Sequence, residues 1–156
     1  MTSRARTFGI APPRFHVAVH ILVWLAKTGD VCPSNEIASE VRGHATFLRR
    51  VLAPLVQAGI VEAREGRVGG YALAKPAERI SLGEVYTVLR GAAAPGEKGA
   101  VGGDEGTGRG KRLDRVLSEI LGQAEEQAVD LLSRITIADL ARKLDLPGRQ
   151  FSVSPS

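Results

Sequence analysis

The chain of 156 residues contains one cysteine, few aromatic residues and no long hydrophobic run. Since one cysteine cannot form an internal disulfide, the fold must be held together by its core. Apolar residues make up 44% of the sequence but aromatic residues only 4%, which predicts an aliphatic core. No apolar run reaches the roughly 18 residues that span a bilayer, and the N-terminus has no secretory apolar stretch. These absences indicate a cytoplasmic protein with no membrane partner.

The sequence also lacks a recognisable catalytic set. No Ser/His/Asp or Cys/His arrangement stands out. The run 106–111 is similar to part of a phosphate-binding loop, but Glu105 occupies the first glycine position and Arg112 stands where Ser or Thr would bind magnesium. We therefore expect that the protein is not an enzyme.

A metal site is not expected either. His16 and His20 have the i, i+4 spacing of a metal-binding pair on one helix face. Zinc needs three or four ligands, and only His44 and Cys32 remain as further candidates. We interpret the two spaced histidines as packing or dimer-interface residues.

The net charge of +4 is unevenly distributed along the chain. Residues 1–90 contain 12 basic and 7 acidic residues, a net charge of +5. Residues 91–156 contain 9 basic and 10 acidic residues, a net charge of −1. Attraction to phosphates and the release of counterions would therefore favour the first part of the chain on DNA.

That first part has the helical pattern of a helix-turn-helix. Apolar residues at helical spacing follow Pro13, which suits the first turn of a helix. Ser34 is predicted as the N-cap of a short second helix, and Gly43 as the residue that allows the turn after it. A third helix is predicted over 45–58 and is closed by Gly59.

A hairpin and two capped helices are predicted after the third helix. Short strands over 60–64 and 70–74 are joined by a loop with glycines that permit positive φ or a close backbone approach, which forms the wing. Ser81 and Glu84 form a capping box for a helix that ends near Arg90. Thr136 is predicted to cap a short last helix.

The predicted fold class is α+β, mainly α: a winged helix-turn-helix domain with a long C-terminal dimerisation helix. Apolar residues from Leu113 to Ile135 recur in steps of three and four, which predicts one amphipathic helix with an apolar seam. Since a lone helix cannot bury such a seam, a two-fold homodimer is expected. The predicted segments are a flexible N-terminal arm (1–12), the winged domain (13–90), a flexible glycine-rich loop (91–110), the dimerisation helix (111–135) and a short helix with a tail (136–156).

The motifs resemble those of the Rrf2 family of bacterial transcriptional regulators, the IscR, NsrR and CymR type. The most specific match is a Gly-Gly-Tyr-x-Leu wing at 69–73 after an Ala-Gly-Ile-Val strand start at 58–61. Further matches lie at 14–22, 37–38, 48–52, 80–82 and 136–140. The resemblance implies a homodimer with one winged helix-turn-helix per subunit.

The resemblance also raises the question of a cofactor. Many members of the family hold an iron–sulfur cluster through three cysteines in the loop before the dimerisation helix. In this chain the loop 91–110 has no cysteine and no histidine, and such clusters need thiolates. We therefore expect a member of the family without a cluster and without any other cofactor.

Five residues are predicted to contact double-stranded DNA. Arg49 and Arg50 face outward on the third helix, where arginine can bind guanine through two hydrogen bonds. Thr46 near the start of that helix would contact a phosphate or a base edge. Arg67 at the tip of the wing would contact a phosphate or the minor groove, and Ser34 at a helix N-terminus a phosphate.

Cys32 is the one candidate for a redox-sensing thiol. It lies beside Pro33, ahead of the second helix, and no nearby basic residue is placed to favour a reactive thiolate, while the negative charge of Asp30 would disfavour one. The structural interpretation is therefore favoured over the sensing one.

The sequence as a whole favours a dimeric transcriptional repressor on a palindromic operator, released by an unidentified small-molecule effector. A protein–protein adaptor that kept the winged fold but lost DNA binding is the alternative. The exposed arginines favour the first hypothesis. A small-molecule-binding enzyme is the weakest of the three.

Overall fold

The computed structural model describes residues 13–67, 69–92 and 108–145. The predictions for the arm at 1–12, for 93–107 of the glycine-rich loop and for the tail from 146 lie outside these residues. The elements, in chain order, are α1 (Pro13–Thr28), α2 (Ser34–Val41), α3 (Ala45–Gln57), β1 (Val61–Arg64), β2 (Gly70–Leu73), a 3-10 turn (Ala77–Arg79), α4 (Leu82–Ala92), α5 (Gly108–Ser133) and α6 (Ile137–Asp145).

Helix α1 lies at the centre of the molecule. Ala18, Ile21 and Leu22 have no exposed surface, and α2, α3, α4, α6 and β2 all pack against this helix. The core around it is aliphatic, with Tyr86 the one aromatic residue among those fully buried in the described part of the chain. The helix therefore acts as the support on which the helix-turn-helix and the wing are mounted.

The start of α2 differs from the prediction. Ser34 is the first residue of the helix and Pro33 occupies the cap position, with no side-chain hydrogen bond to the cap. The Pro33 carbonyl accepts the N–H groups of Glu36 and Ile37 at 3.0 and 3.2 Å. Ser34 as an N-cap was therefore wrong, because the backbone carbonyl of Pro33 already supplies the acceptor that a capping hydroxyl would provide.

The turn between α2 and α3 also differs in detail. The left-handed residue is Arg42, with φ 52°, rather than Gly43. Two backbone bonds close the turn, from Gly43 N–H to the Ala38 carbonyl (3.0 Å) and from Arg42 N–H to the Ser39 carbonyl (3.4 Å). This is a Schellman-type helix end, in which the residue that follows the last helical residue, here Arg42, takes the left-handed conformation.

The wing is a two-stranded antiparallel sheet in which Val61 pairs with Leu73 and Arg64 with Gly70. Its base is joined to the segment before α2, because Cys32 and Tyr71 exchange two backbone hydrogen bonds of 2.9 Å. Gly70 is needed at this junction, since a Cβ atom there would lie 2.1 Å from the Cys32 carbonyl oxygen. The wing is thereby held beside the helix-turn-helix.

The C-terminal part returns to the same core. Helix α5 packs on α4. The backbone after α5 then forms two hydrogen bonds with the backbone at the start of α4: Leu82 N–H donates to the Ile135 carbonyl, and Ile137 N–H donates to the Ile80 carbonyl, both at 2.8 Å. Ile137 has no exposed surface. Helix α6 is thus part of the core of the winged domain, which periodicity alone did not indicate.

The predicted caps of the last helices are present. The Ser81 hydroxyl accepts the N–H of Glu84 at 3.1 Å. At α6, Thr136 accepts the N–H of Asp139 at 3.1 Å and the Asp139 carboxylate accepts the N–H of Thr136 at 3.0 Å, a reciprocal capping box. None of the helices in the described ranges combines the length and the apolar character needed to cross a membrane.

Candidate nucleic-acid interface

One side of α3 is built into the core and the other side is left to solvent. Leu48, Val51, Leu52 and Leu55 are buried, whereas Thr46, Arg49 and Arg50 are exposed. The pattern follows from the 3.6-residue period, which places 46, 49, 50 and 53 opposite the apolar stripe. We call the exposed set of Thr46, Arg49 and Arg50 the α3 face.

No ion pair neutralises the arginines of the α3 face among the described residues. Helix α3 contains no acidic residue, and neither Arg49 nor Arg50 has a salt-bridge partner within the described residues. A guanidinium without a protein partner keeps its five N–H donors available for a ligand. The α3 face can therefore donate hydrogen bonds to acceptors such as phosphate oxygens or the edge of guanine.

The wing presents a second cation. Arg67 is exposed at the turn of the hairpin, directly after Gly66, whose φ of +114° suits glycine. Arg64, three residues earlier, is engaged instead, because its Nη2 atom lies 2.8 Å from Glu62 Oε1. The hydrogen bond and the charge of Glu62 raise the pKa of Arg64. Arg67 is thus the wing arginine that is available for a partner.

Ser34 lies next to the base of the wing. Its side chain is exposed in the first turn of α2, and Gly70 of the wing lies against Cys32 and Pro33 just before it. The structure therefore places the start of α2 beside the hairpin that carries Arg67. The same turn also contains Glu36, which makes it less attractive to a phosphate than the α3 face.

Cys32 is held inside the protein. The residue has no exposed surface, and its N–H and carbonyl groups both bond to Tyr71. Its side chain belongs to the hydrophobic core. This environment favours a packing role, and the redox role stays an untested prediction.

His16 and His20 are exposed at the rim of an apolar groove between α1 and α6. The groove has a volume of about 330 Å³, and its walls include Val19, Val23 and Leu140. His20 Nε2 lies 3.7 Å from Glu40 Oε1. Across 13–67, 69–92 and 108–145, no three His, Cys, Asp or Glu side chains come together as a metal-binding group.

The predicted seam of α5 is largely exposed in the single chain. Leu113, Ile120 and Leu131 are 59%, 53% and 60% exposed, while Ala128 and Ile135 of the same seam are half-buried. Another side of α5 packs on α4. On that side, Arg90 Nε lies 2.6 Å from Glu125 Oε1. Sequence periodicity located the seam but gave no sign of the Arg90–Glu125 pair.

Comparison with known proteins gives the same picture. A sequence model of the Rrf2 family, described as iron-dependent transcriptional regulator, matches residues 12–143. The chain is 32% identical over 127 residues to slr0846 of Synechocystis sp., which is named as an HTH-type transcriptional regulator; the match covers 80% of this chain and 82% of that relative.

Solved structures are similar over most of the chain. CymR (YrzC) of B. subtilis, described as the global cysteine regulator, is superposed with a TM-score of 0.61 at 25% identity over 85% of this chain and 96% of that one. IscR of T. potens gives a TM-score of 0.62 at 22% identity over 85% of this chain and 86% of that one. The predicted winged fold is thus confirmed, and the chain belongs to the Rrf2 family of transcriptional regulators.

Proposed function

We propose that the protein is a homodimeric repressor that binds a palindromic DNA operator and needs no iron–sulfur cluster. The observation that supports this most directly is the α3 face, where Arg49 and Arg50 have no salt-bridge partner in the described ranges, together with a wing that presents Arg67. A helix exposed in this way fits the major groove while the wing contacts the flanking backbone.

Each predicted contact has a separate role in the proposal. Arg49 and Arg50 read base edges in the major groove, and Thr46 contacts a base edge or a phosphate. Arg67 and Ser34 bind phosphates and so fix the register of the protein on the duplex. Two copies related by a two-fold axis would read two half-sites separated by whole helical turns.

The absence of a cluster is proposed from the donor set. The family is described as iron-dependent, but this chain has a single cysteine, Cys32, and that thiol is buried in the core. The loop 91–110 contains neither cysteine nor histidine. Since protein-bound clusters are held mainly by thiolates, the residues present do not fit one, and we propose an unidentified small molecule as the effector.

Selection of bound sequences from random DNA tests the proposal directly. The expected result is enrichment of one palindrome, and Arg49→Ala and Arg50→Ala should each lower affinity for it roughly 10- to 100-fold. Arg134→Ala is the matched control, because Arg134 is also exposed but lies in the turn between α5 and α6 and not in the helix-turn-helix or the wing.

Two results would contradict the proposal. Equal affinity of all three variants for the selected palindrome would show that the α3 face does not bind DNA. No enrichment at low ionic strength would favour the alternative function, an adaptor whose α3 face docks on another protein. Retained operator affinity after peroxide treatment would argue against a sensing role for Cys32 without affecting the rest.

A further inference from the structure

The groove between α1 and α6 is formed by one stripe of each helix. Helix α1 contributes His16, Val19, His20 and Val23, which have the i, i+3, i+4, i+7 spacing of a single helix face. Helix α6 contributes three residues with the i, i+3, i+4 spacing, 140, 143 and 144. The volume of about 330 Å³ lies at the lower end of the range of roughly 300–1,000 Å³ that small-molecule sites occupy. The groove therefore has room for a small ligand.

The inner part of the groove is aliphatic. Val23 is buried, and Val19 and Leu140 are half-buried. Leu144 completes this surface but remains 46% exposed. Covering such a side chain with apolar atoms removes it from water, which is favourable in proportion to the apolar area that is buried. The aliphatic surface therefore suits a ligand with a hydrocarbon body.

The rim of the groove supplies hydrogen-bond donors that can be cationic. They are His16, His20 and Lys143, and no acidic side chain among the described residues lines the groove. The Lys143 ammonium group has three N–H donors and no salt-bridge partner within 13–67, 69–92 and 108–145. The neighbouring carboxylate of Asp145 is already engaged, because it lies 2.9 Å from Lys27 Nζ. Charge complementarity therefore favours an anionic group on the ligand.

We propose that this groove binds a small carboxylic acid with an apolar body, and that such an acid is the effector of the proposed regulator. The hydrocarbon part of the ligand lies on Val19, Val23, Leu140 and Leu144. Its carboxylate accepts hydrogen bonds from Lys143 and from the imidazoles at the rim, which are stronger than hydrogen bonds between neutral groups. The binding site is argued from the groove alone, whereas the effector role rests on the proposed function.

His20 connects the groove to the helix-turn-helix. Its Nε2 atom lies 3.7 Å from Oε1 of Glu40, which belongs to α2. A ligand carboxylate at the rim competes with Glu40 for the same imidazole, so the contact between α1 and α2 differs between the free and the bound protein. Since a ligand shifts an equilibrium only through such a difference, this contact is the route by which the acid changes operator affinity.

Titration with three probes tests the ligand class. Hexanoate has both the apolar body and the carboxylate, 1-hexanol lacks the charge, and acetate lacks the body. Methyl NMR spectra of the full chain should show saturable shifts for Val19, Val23, Leu140 and Leu144 with hexanoate. The affinity should be roughly tenfold lower for 1-hexanol and for acetate. No saturable shift with hexanoate, or equal affinity for hexanoate and 1-hexanol, would overturn the proposal.

Two variants test the two parts of the groove. Lys143→Gln removes the charge of the rim and should weaken hexanoate binding roughly fivefold. Leu144→Glu places a carboxylate on the aliphatic surface and should weaken it at least tenfold. Arg134→Gln is the matched control, since Arg134 is exposed in the turn before α6 and does not line the groove. All three side chains are exposed, so circular dichroism should show an unchanged fold. Equal hexanoate affinity of all three variants would overturn the site.

Two further measurements separate the outcomes. Saturating hexanoate should lower operator affinity of the wild type roughly two- to fivefold and that of Lys143→Gln less. Binding without this effect would overturn the effector role and leave the site in place. If no palindrome is selected, the proposed function fails, but the methyl shifts still report on the groove. A change from dimer to monomer mass in Leu144→Glu by light scattering would show that a second copy covers the groove, which would overturn the site.

Discussion

Gly70 connects the wing to the helix-turn-helix because it has no side chain. Its backbone passes so close to the segment before α2 that a Cβ atom would lie 2.1 Å from the Cys32 carbonyl oxygen and 2.9 Å from Pro33 Cα. Both obstructing atoms belong to backbone, which cannot turn aside as a flexible side chain would. The paired hydrogen bonds between Cys32 and Tyr71 depend on this approach.

The first prediction is that Gly70→Ala destabilises the protein strongly. The free energy of unfolding in urea should fall by roughly 2 kcal/mol or more, because the added methyl group forces the Cys32–Tyr71 bridge apart. Gly91→Ala is the matched control, since no atom of the part of the chain that the structure describes lies within 4 Å of its Cβ position in α4. The control should gain up to about 1 kcal/mol from better helix propensity. Equal stability of the two variants would count against the close approach.

Arg42 adopts a left-handed backbone conformation at the turn between α2 and α3. It adopts φ 52°, a conformation that costs roughly 1–2 kcal/mol in residues other than glycine. The second prediction is that Arg42→Gly raises the free energy of unfolding by up to about 1 kcal/mol in the same urea assay. The gain is partial because glycine also increases the entropy of the unfolded chain. Gly43→Ala, where φ is not positive, should give no such gain.

For individual residues, the sequence predicted which side chains are exposed on α3 but not which residues form the helix ends. The α3 face followed from helical period alone, since 46, 49 and 50 lie opposite the apolar stripe. Ser34 was assigned as a cap from residue type, but the Pro33 carbonyl took that role. The left-handed residue was assigned to Gly43 for the same reason, whereas the register of the helix end decided that Arg42 adopts it.

At the scale of elements, the cap of α6 links helix stability to pH. The Asp139 carboxylate accepts the Thr136 N–H and also bonds to Arg142. These contacts, the backbone bond first, hold the pKa of Asp139 below its ordinary value of 3.8. The charged form therefore stabilises the fold above the ordinary pKa, and this contribution disappears as the pH falls through the lower pKa of the folded state.

The third prediction follows from that sign. Between pH 7 and pH 2, urea unfolding should show a steeper loss of stability for the wild type than for Asp139→Asn, which has no proton to take up. Thr136→Ala removes the reciprocal hydroxyl and should cost about 1 kcal/mol at pH 7. Identical acid profiles for the wild type and Asp139→Asn would show that the capping box does not titrate with folding.

Elements with strong local signals were predictable, and their packing partners were not. The spacing of apolar residues, the capping box of Ser81 and Glu84 and the Thr136 cap located α4, α5 and α6 to within a few residues. The return of α6 to the core depends on bonds between residues more than fifty positions apart, such as Ile137 and Ile80. Nothing in the local pattern of either segment indicates that contact.

For the whole molecule, the proposed DNA complex should depend on salt through its phosphate contacts. The fourth prediction is that Arg67→Ala reduces the slope of log affinity against log salt concentration by about 2, because two phosphate contacts are lost from each dimer. Fluorescence anisotropy across a salt series on the selected operator measures the slope. Arg134→Ala should leave it unchanged. An unaltered slope for Arg67→Ala would show that Arg67 does not contact the phosphates of the DNA.

The position of Ile137 in the core has a consequence for how the protein is made. The hydrophobic interior around α1 is incomplete until this residue is added, so a nascent chain on the ribosome holds the winged segment without the support of Ile137. Folding of the winged segment should therefore be completed only after residue 137 has been synthesised. The proposed operator binding would then be confined to chains in which α6 has joined the core.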